Sequence, residues 1–395
     1  MMPKPFVFEK PAGMRDKLPL FFQASEQIKQ QLLNKISVWG YQMVQTPTLE
    51  YFDTVGEASA ISDQQLFKLL DMEGSTLVLR PDMTAPIARV VSSSMKQVAY
   101  PLRLSYSAPV FRAQQREGGR PAEFEQVGVE LIGDGTLSAE AEVLALMSDV
   151  LKETGIQRFT ITIGHIGFVQ ELFIEILGNA ERAEELRRFL FEKNYVGYAN
   201  FVKNMPLSSI DSARLLKLLE CRGGEDALLK AMELAGTEKA KKAVSDLMQL
   251  KKILGDYGAE ETVNFDFTLL SHMSYYTGIV FEGYAAGIGS PIAGGGRYDD
   301  LLSRFERSAP AIGFAVRLDY VMEAIGQMPD TSSRTCILYS GERREEALRI
   351  AAEKRSSGTP AVTQDITGVE NVDTFTNRFT DVIYLIGKTQ GEETK

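Results

Sequence analysis

Cysteine, histidine and tryptophan are scarce in this chain, which has two, two and one of them among 395 residues. Cys221 and Cys336 stand far apart, so their spacing predicts neither a disulfide framework nor a zinc site, and it favours a reducing cytoplasmic location. Acid–base chemistry by histidine is restricted to His165 and His272. His165 follows an apolar stretch typical of a strand, and we predict a structural role for it. We therefore expect neither a metal site nor a catalytic histidine.

Long apolar runs are also missing. No stretch reaches the length of a membrane span, and residues 1–10 contain no apolar segment of signal-peptide length. Lys and Arg total 43 against 53 Asp and Glu, which gives a formal net charge of −10 and a pI of about 5.1. This balance disfavours a nucleic-acid partner, which usually requires a basic surface. The 44% of hydrophobic residues can form a large core, and the length favours more than one domain.

Hydrophobic periodicity in the first part of the chain predicts helices and strands in alternation. The expected helices cover residues 21–38, 84–94 and 138–154, and the expected strands cover 41–49, 76–79, 102–111, 125–132 and 159–163. A polar, glycine-rich stretch separates the strands 102–111 and 125–132, which is the pattern of an antiparallel hairpin with a long loop. Pro47, near the end of the first strand, favours a sheet edge or an interface.

The composition changes at about residue 167. Residues 167–257 are rich in Leu, Ala, Glu and Lys and have helical periodicity, so they predict a helical insertion within a core of residues 1–325. The later expected elements are strands at 265–270 and 275–285, a glycine-rich turn at 287–296, a helix from Tyr298, a strand at 311–315 and a helix at 318–325.

Residues 326–334 have the composition of a linker. The strand–helix–strand pattern after it predicts a small C-terminal α/β domain at residues 331–395. The whole pattern predicts an α+β fold with a mainly antiparallel sheet, flanking helices, the helical insertion and this C-terminal unit.

Four ordered blocks and a final segment carry a resemblance to the histidyl-tRNA synthetases, which are class II aminoacyl-tRNA synthetases. The blocks are PAGMRDKLP with GYQMVQTPTLE, LRPDMTAPIAR, VFRAQQREGGRPAEFEQVGVELIG, and YYTGIVFE with GGGRYDDLL. The final segment, AIGFAVRLDY at 311–320, resembles the family signature A-[VTI]-G-F-[AS]-x-G-[LI]-E-R. The resemblance covers residues 11–325 and implies a class II synthetase-like sheet. It also implies a homodimer with a seam near Pro47.

The resemblance further implies a pocket for a histidine-type ligand. In the family, carboxylates and a glutamine hold the charged groups of the amino acid, and a glutamate and tyrosines contact its imidazole. The matching residues here are Asp82 and Thr84 at the α-amino group, Gln126 near the carboxylate and amine, Glu130 at the ligand, Tyr275 and Tyr276 beside the imidazole, and Arg112 at the α-phosphate. Each residue alone fits a satisfied polar group on a buried strand equally well. The set together favours a pocket.

The ATP-binding half of the resemblance is incomplete. Tyr320 stands where the family has an arginine that holds the γ-phosphate, and a phenol cannot replace a guanidinium that forks onto phosphate oxygens. The other altered charged positions are Gln114, Gln115, Ala122, Ser271 and Ser274, whereas Arg112 and Arg120 are kept. Loss of one preorganised donor typically lowers a rate by about 10²–10³. We therefore expect no useful adenylation and no catalytic residues.

Three functions are compatible with this sequence. The first is that of a synthetase-like family that lacks aminoacylation, activates the short form of ATP phosphoribosyltransferase in the first step of histidine biosynthesis, and confers histidine feedback inhibition. That resemblance implies a hetero-octamer around a homodimer core, L-histidine as effector, no cofactor and no tRNA. The alternatives are an active histidyl-tRNA synthetase of unusual sequence and a stand-alone histidine- or tRNA-binding paralogue. We favour the first, because the ATP half is altered while the amino-acid half is kept.

Overall fold

The computed structural model describes residues 7–113, 121–271, 275–326 and 334–387. Contacts between Cα atoms divide the chain into two compact units, residues 1–326 and residues 327–395. No helix in these ranges is long and apolar enough to cross a membrane. The sequence predicts two independent domains, at residues 1–325 and 331–395. The independence and the limits of these domains stay a prediction.

The first unit combines a large sheet, a small sheet and the helices around them. Its strands are β1 (Gln42–Met43), β2 (Leu49–Tyr51), β3 (Lys68–Leu70), β4 (Thr76–Leu79), β5 (Leu102–Phe111), β6 (Glu123–Ile132), β7 (Phe159–His165), β8 (Arg222–Gly223), β9 (Val263–Asp266), β10 (Ile279–Ala285), β11 (Ala293–Arg297) and β12 (Ala311–Arg317). Its helices are α1 (Pro19–Val38), α2 (Thr84–Ser92), α3 (Leu137–Glu153), α4 (Ile166–Leu177), α5 (Ala180–Phe191), α6 (Tyr195–Asn204), α7 (Ser209–Lys217), α8 (Glu225–Leu234), α9 (Glu238–Asp256) and α10 (Leu318–Ile325).

The large sheet has the strand order β1-β5-β6-β12-β11-β10-β7-β9-β8. The pairs β1–β5 and β7–β9 are parallel, and the other neighbouring strands are antiparallel. β5 and β6 form the predicted hairpin, in register along their full length. The prediction of an α+β fold with a mainly antiparallel sheet is confirmed.

The two faces of the large sheet have different coverings, because side chains alternate along a strand. On β6, Val127, Val129 and Leu131 belong to the larger core, which they share with α1, α3 and the helices that follow β7. Phe124 and Ile132 belong to a second core on the opposite face, built with α2 and the small sheet β2-β4-β3. Polar side chains on that opposite face are therefore free to border an open site.

The predicted helical content of the insertion is confirmed, since α4 to α9 follow one another with a 3-10 turn at Leu218–Glu220 and the short strand β8 between α7 and α8. Side chains at the N-caps of five of these helices accept a backbone N–H from the first turn, which satisfies donors that a helix start leaves open. These capping residues are His165, Asn179, Asn194, Ser208 and Thr237.

The single strand expected at 41–49 is wrong, because the segment divides between two sheets. β1 pairs with β5, and β2 pairs with β4. Between them, Pro47 has no backbone N–H to donate to a ladder. The buried guanidinium of Arg80 donates to the carbonyl oxygens of Thr46 and Pro47 at 2.9 and 3.2 Å. These contacts take the place of strand pairing.

The glycine-rich turn expected at 287–296 is partly wrong, because its second half is the strand β11 between β10 and β12. Glycine is required there, since a Cβ at Gly295 would lie 2.1 Å from the carbonyl oxygen of Gly313. The helix expected from Tyr298 is also wrong, and a 3-10 turn at Leu302–Phe305 takes its place. Tyr298 is buried and bonded to Glu130, a tertiary contact that outweighs local helix propensity.

The second unit is the predicted small α/β arrangement. Its elements are β13 (Thr335–Tyr339), α11 (Arg344–Ser356), β14 (Ala361–Asp365), α12 (Val372–Thr376) and β15 (Asp381–Leu385). The strands form a parallel sheet in the order β14-β13-β15. Ala347 and Ala351 of α11 pack on Ile337 of β13 in its small core. Most of the expected linker lies outside the described residues.

Candidate functional site

A cleft of about 1170 Å³ lies in the first unit, along the sheet face opposite the larger core. All seven residues predicted for the ligand pocket line this cleft. They are Asp82, Thr84, Arg112, Gln126, Glu130, Tyr275 and Tyr276. The structure thus brings together side chains from four separate segments of the sequence, and their role in binding a histidine-type ligand stays a prediction.

The central strands position the polar groups of the cleft. β6 places Gln126 and Glu130 on one face, because an even number of residues separates them. β12 runs antiparallel beside β6, with Arg317 opposite Gln126 and Gly313 opposite Glu130. A Cβ at Gly313 would lie 1.9 Å from Glu130 Oε2, so the glycine leaves room for the carboxyl group.

Glu130 is a buried acid in this cleft. Thr84 donates a hydrogen bond from Oγ1 to Glu130 Oε1 at 2.8 Å, and the Tyr298 hydroxyl donates to Oε2 at 2.5 Å. Burial raises the pKa of Glu130 from 4.5 to about 8, although both hydrogen bonds act in the opposite direction. A ligand N–H donated to Glu130 would favour its charged form.

Asp82 is a second buried acid, placed just before α2. Its Oδ1 accepts the backbone N–H of Ala85 at 3.0 Å, which satisfies a donor in the first helical turn. Its Oδ2 is buried and has no hydrogen-bond partner within the described ranges. Burial raises the pKa of Asp82, while the Ala85 N–H and the charge of Arg112 lower it. A buried hydrogen-bond acceptor that has no donor lowers the stability of the folded chain by about 1–3 kcal/mol, so Asp82 Oδ2 suits a donor from a ligand.

Tyrosine rings form one wall of the cleft. The ring centroid of Tyr275 lies 4.9 Å from that of Tyr276 and 5.7 Å from that of Tyr298, and both pairs are edge-to-face. Tyr298 belongs to the site through its hydrogen bond to Glu130, and sequence reasoning missed it. The signal was present in the GGGRYDD segment, but a helix was expected there.

Arginines and aromatic rings form another part of the cleft. Arg112 donates from Nε to the carbonyl oxygen of Pro81 at 2.8 Å. The guanidinium carbon of Arg317 lies 4.0 Å from the ring centroids of both Phe124 and Tyr320. Burial lowers the pKa of Arg112, and Arg317 adds to this effect while Asp82 opposes it. Sequence reasoning identified Tyr320 as a lost arginine, but it missed the roles of Arg317 and Phe124.

His165 has the structural role predicted for it. It ends β7, and its Nδ1 accepts the backbone N–H of Phe168 at 3.1 Å at the start of α4. Burial lowers its pKa to about 4, so the imidazole is neutral. Ser271, one of the altered positions, lines the cleft, and Ala122, another, is buried. The predictions for Gln114, Gln115, Arg120, His272 and Ser274 fall outside the described residues.

No cluster of three or more His, Cys, Asp and Glu side chains in the described part of the chain is placed to hold a metal ion. Cys221 and Cys336 are both buried free thiols. Burial raises the pKa of the Cys221 thiol to about 11, so it is not a reactive thiolate.

Two family models match the chain in separate segments. The model described as histidyl-tRNA synthetase matches residues 13–321. The model described as histidyl-tRNA synthetase HisZ, C-terminal domain, matches residues 336–387. The predicted synthetase-like architecture is therefore confirmed over most of the chain.

Relatives of nearly the same length share more than half of their residues with this chain. An ATP phosphoribosyltransferase regulatory subunit from Halalkalibacterium halodurans is 56% identical over 388 residues, 98% of each chain. One from Geobacillus sp. (strain WCH70) is 54% identical over 392 residues, 99% of this chain and all of the relative. A crystal structure of an ATP phosphoribosyltransferase regulatory subunit/histidyl-tRNA synthetase from Bacillus halodurans C superimposes with a TM-score of 0.91 at 55% identity, covering 98% of this chain and 100% of the other. This chain belongs to the histidyl-tRNA synthetase-like family of ATP phosphoribosyltransferase regulatory subunits.

Proposed function

We propose that this chain is the non-catalytic subunit that activates a short-form ATP phosphoribosyltransferase and makes it sensitive to histidine. Relatives that match nearly the whole chain carry the name of this regulatory subunit. In the proposal, the cleft of the first unit is the pocket that binds L-histidine, the product of the pathway that the transferase begins.

The observation that carries the ligand proposal is the unpartnered Oδ2 of Asp82. L-Histidine offers an ammonium group to this oxygen and an imidazole N–H to Glu130, and its carboxylate suits the guanidinium of Arg112. Tyrosine rings beside Glu130 suit a flat imidazole. The cleft therefore contains a complementary group for each polar part of the amino acid.

The same cleft is poorly equipped for adenylate chemistry. Tyr320 and Ser271, both in the cleft wall, stand where the synthetases have arginines. In the transition state of adenylation, negative charge develops on the phosphates, and this cleft lacks two of the charged donors that would stabilise it. A protein that keeps the amino-acid groups and lacks the phosphate groups is suited to sensing histidine, and not to activating it.

The assembly follows from the same proposal. The partner is the short-form catalytic subunit, in a hetero-octamer around a homodimer of this chain with a seam near Pro47. Histidine acts by binding one arrangement of that complex better than another. The location is cytoplasmic, and the acidic net charge of −10 argues against tRNA as a partner.

Calorimetric titration of the full chain with L-histidine tests the pocket. We expect saturable binding by the natural chain and binding weaker by about 1–3 kcal/mol in Asp82→Asn, because the amide has no negative charge for the ammonium group. Asp300→Asn is the matched control, since Asp300 is exposed and does not line the cleft. We expect this control to bind like the natural chain.

Two results would contradict the proposed histidine pocket. Absence of histidine binding by the natural chain would remove the cleft as a histidine pocket. Equal binding by Asp82→Asn and the natural chain would place the ligand elsewhere. Histidine-dependent ATP–pyrophosphate exchange by the natural chain would instead support an active synthetase.

A further inference from the structure

The Arg317 side chain has an unusual setting at the junction of β12 and α10. Arg317 is the N-cap residue of α10, and Tyr320 lies in the first turn of the same helix. The guanidinium of Arg317 packs over the ring of Tyr320 and over the ring of Phe124 on β6, at 4.0 Å from each centroid. Both rings are buried, and all three residues line the cleft.

Charge pairing accounts for this position only in part. The Nη2 of Arg317 donates to Asp319 Oδ2 at 3.3 Å, a long ion pair, and its buried Nε has no hydrogen-bond partner among the residues that the structure describes. Arg112 is a second cation in the same cleft, and the two like charges repel. Stacking on the two rings therefore holds Arg317 in place together with the ion pair to Asp319.

The flat guanidinium of Arg317, stacked on both rings, occupies the space that a planar heterocycle would need. Aromatic pairs of this kind commonly bind nucleic-acid bases by stacking, and the nearby guanidinium of Arg112 would suit a phosphate. The two features together outline a site for a purine nucleotide, with its base position filled by the chain's own side chain.

We infer that Arg317 is a specificity-determining residue that closes the cleft to purine nucleotides while leaving the amino-acid groups accessible. Asp82 and Glu130 make no contact with Arg317 among the interactions of the described residues, so the amino-acid part of the cleft stays open beside the filled slot. The inference rests on the proposed function in treating the cleft as a ligand pocket, and it adds a reason why the ligand is an amino acid alone.

The test is calorimetric titration of the full-length chain and its variants with AMP. We expect no binding of millimolar AMP by the natural chain and affinity at least about tenfold higher in Arg317→Ala. AMP is an anion, so removal of a positive charge by itself would weaken its binding, and a gain can come only from the freed space. Arg317→Met, which removes the charge and keeps most of the volume, should still exclude AMP.

Arg222→Ala is the matched control. Arg222 also stacks on an aromatic ring, 4.1 Å from the centroid of Tyr195, and pairs with Asp266, but it does not line this cleft. We expect no gain of AMP binding in this variant. Melting temperatures verify that each variant is folded, and Arg317→Gly replaces Arg317→Ala if the alanine variant does not fold.

Three outcomes would overturn the inference. They are binding of AMP by the natural chain, no gain in Arg317→Ala or Arg317→Gly, and an equal gain in Arg317→Met. Titration of the same proteins with L-histidine tests the proposed function separately. If the natural chain does not bind histidine, the proposed pocket is refuted, regardless of the result with AMP. If Arg317→Ala binds histidine more weakly and gains no AMP binding, Arg317 recognises the carboxylate of the ligand and does not exclude nucleotides.

Discussion

Replacement of Glu130 by glutamine should stabilise the first unit, and increasingly so as the pH rises. Glu130 is 2% exposed, and its carboxyl group accepts hydrogen bonds from Thr84 and Tyr298. Glutamine has nearly the same shape and carries no charge at any pH. Its carbonyl oxygen can accept a hydrogen bond from one of the two hydroxyl groups, and its NH2 group can donate a hydrogen bond to the oxygen of the other, because hydroxyl groups rotate.

The magnitude follows from the pKa of Glu130, which burial raises from 4.5 to about 8. Below pH 4.5 the group is protonated in both the folded and the unfolded chain, so it does not affect the difference between them. Between pH 4.5 and about pH 8 the unfolded chain releases the proton while the folded chain keeps it. Over that range the free energy of unfolding falls by about 1.4 kcal/mol per pH unit. From about pH 5.5 to about pH 8.5, the free energy of unfolding of the Glu130→Gln variant should therefore rise by about 3 kcal/mol relative to that of the natural chain.

Urea unfolding followed by tryptophan fluorescence measures this difference. Trp39 is the only tryptophan of the chain, and it packs against the larger core of the first unit, so its signal reports on the unit that contains Glu130. Glu123→Gln is the control, because Glu123 is on the same strand and exposed. Protein concentration must be held constant, since association also changes apparent stability. If the stabilities of the natural chain and the Glu130→Gln variant change with pH in parallel, burial does not raise the pKa of Glu130.

Three further predictions concern the cleft. Glu130→Ala should weaken L-histidine binding by about 1–3 kcal/mol, because a buried N–H of the ligand would lose its acceptor; unchanged affinity in calorimetry would remove Glu130 from the pocket. Tyr320→Arg alone should show no histidine-dependent ATP–pyrophosphate exchange, because Ser271 still replaces the second arginine; measurable exchange would show that this position is not required. Gly313→Ala should lower the free energy of unfolding by about 1–3 kcal/mol, because its Cβ would lie 2.3 Å from the carbonyl oxygen of Val129, whereas Gly289→Ala, with open space around it, should be nearly neutral.

The resemblance to the synthetases predicts one pocket for residues such as Asp82, Glu130 and Tyr275, and these residues do line one cleft, while their role in binding stays a prediction. The hairpin of β5 and β6 was predicted with nearly correct bounds because apolar residues and a polar loop both mark it. These features depend on family motifs or on local patterns, and one sequence contains both.

The features that were missed depend on contacts between distant segments. Tyr298 does not begin a helix, because its hydroxyl is bonded to Glu130 from a strand far away in sequence. The stacking of Arg317 on Phe124 joins two strands that only the folded sheet brings together. The sequence showed that Tyr320 had replaced an arginine, but it did not show that another arginine fills the space beside it.

The central claim is that this chain activates a short-form ATP phosphoribosyltransferase and transmits the histidine signal to it. The most direct measurement mixes the purified chain with the short-form transferase of the same source and follows phosphoribosyl-ATP formation with and without L-histidine. The account predicts strong activation by this chain and reversal of that activation by histidine. No complex and no activation, or activation that saturating histidine leaves unchanged, would contradict it.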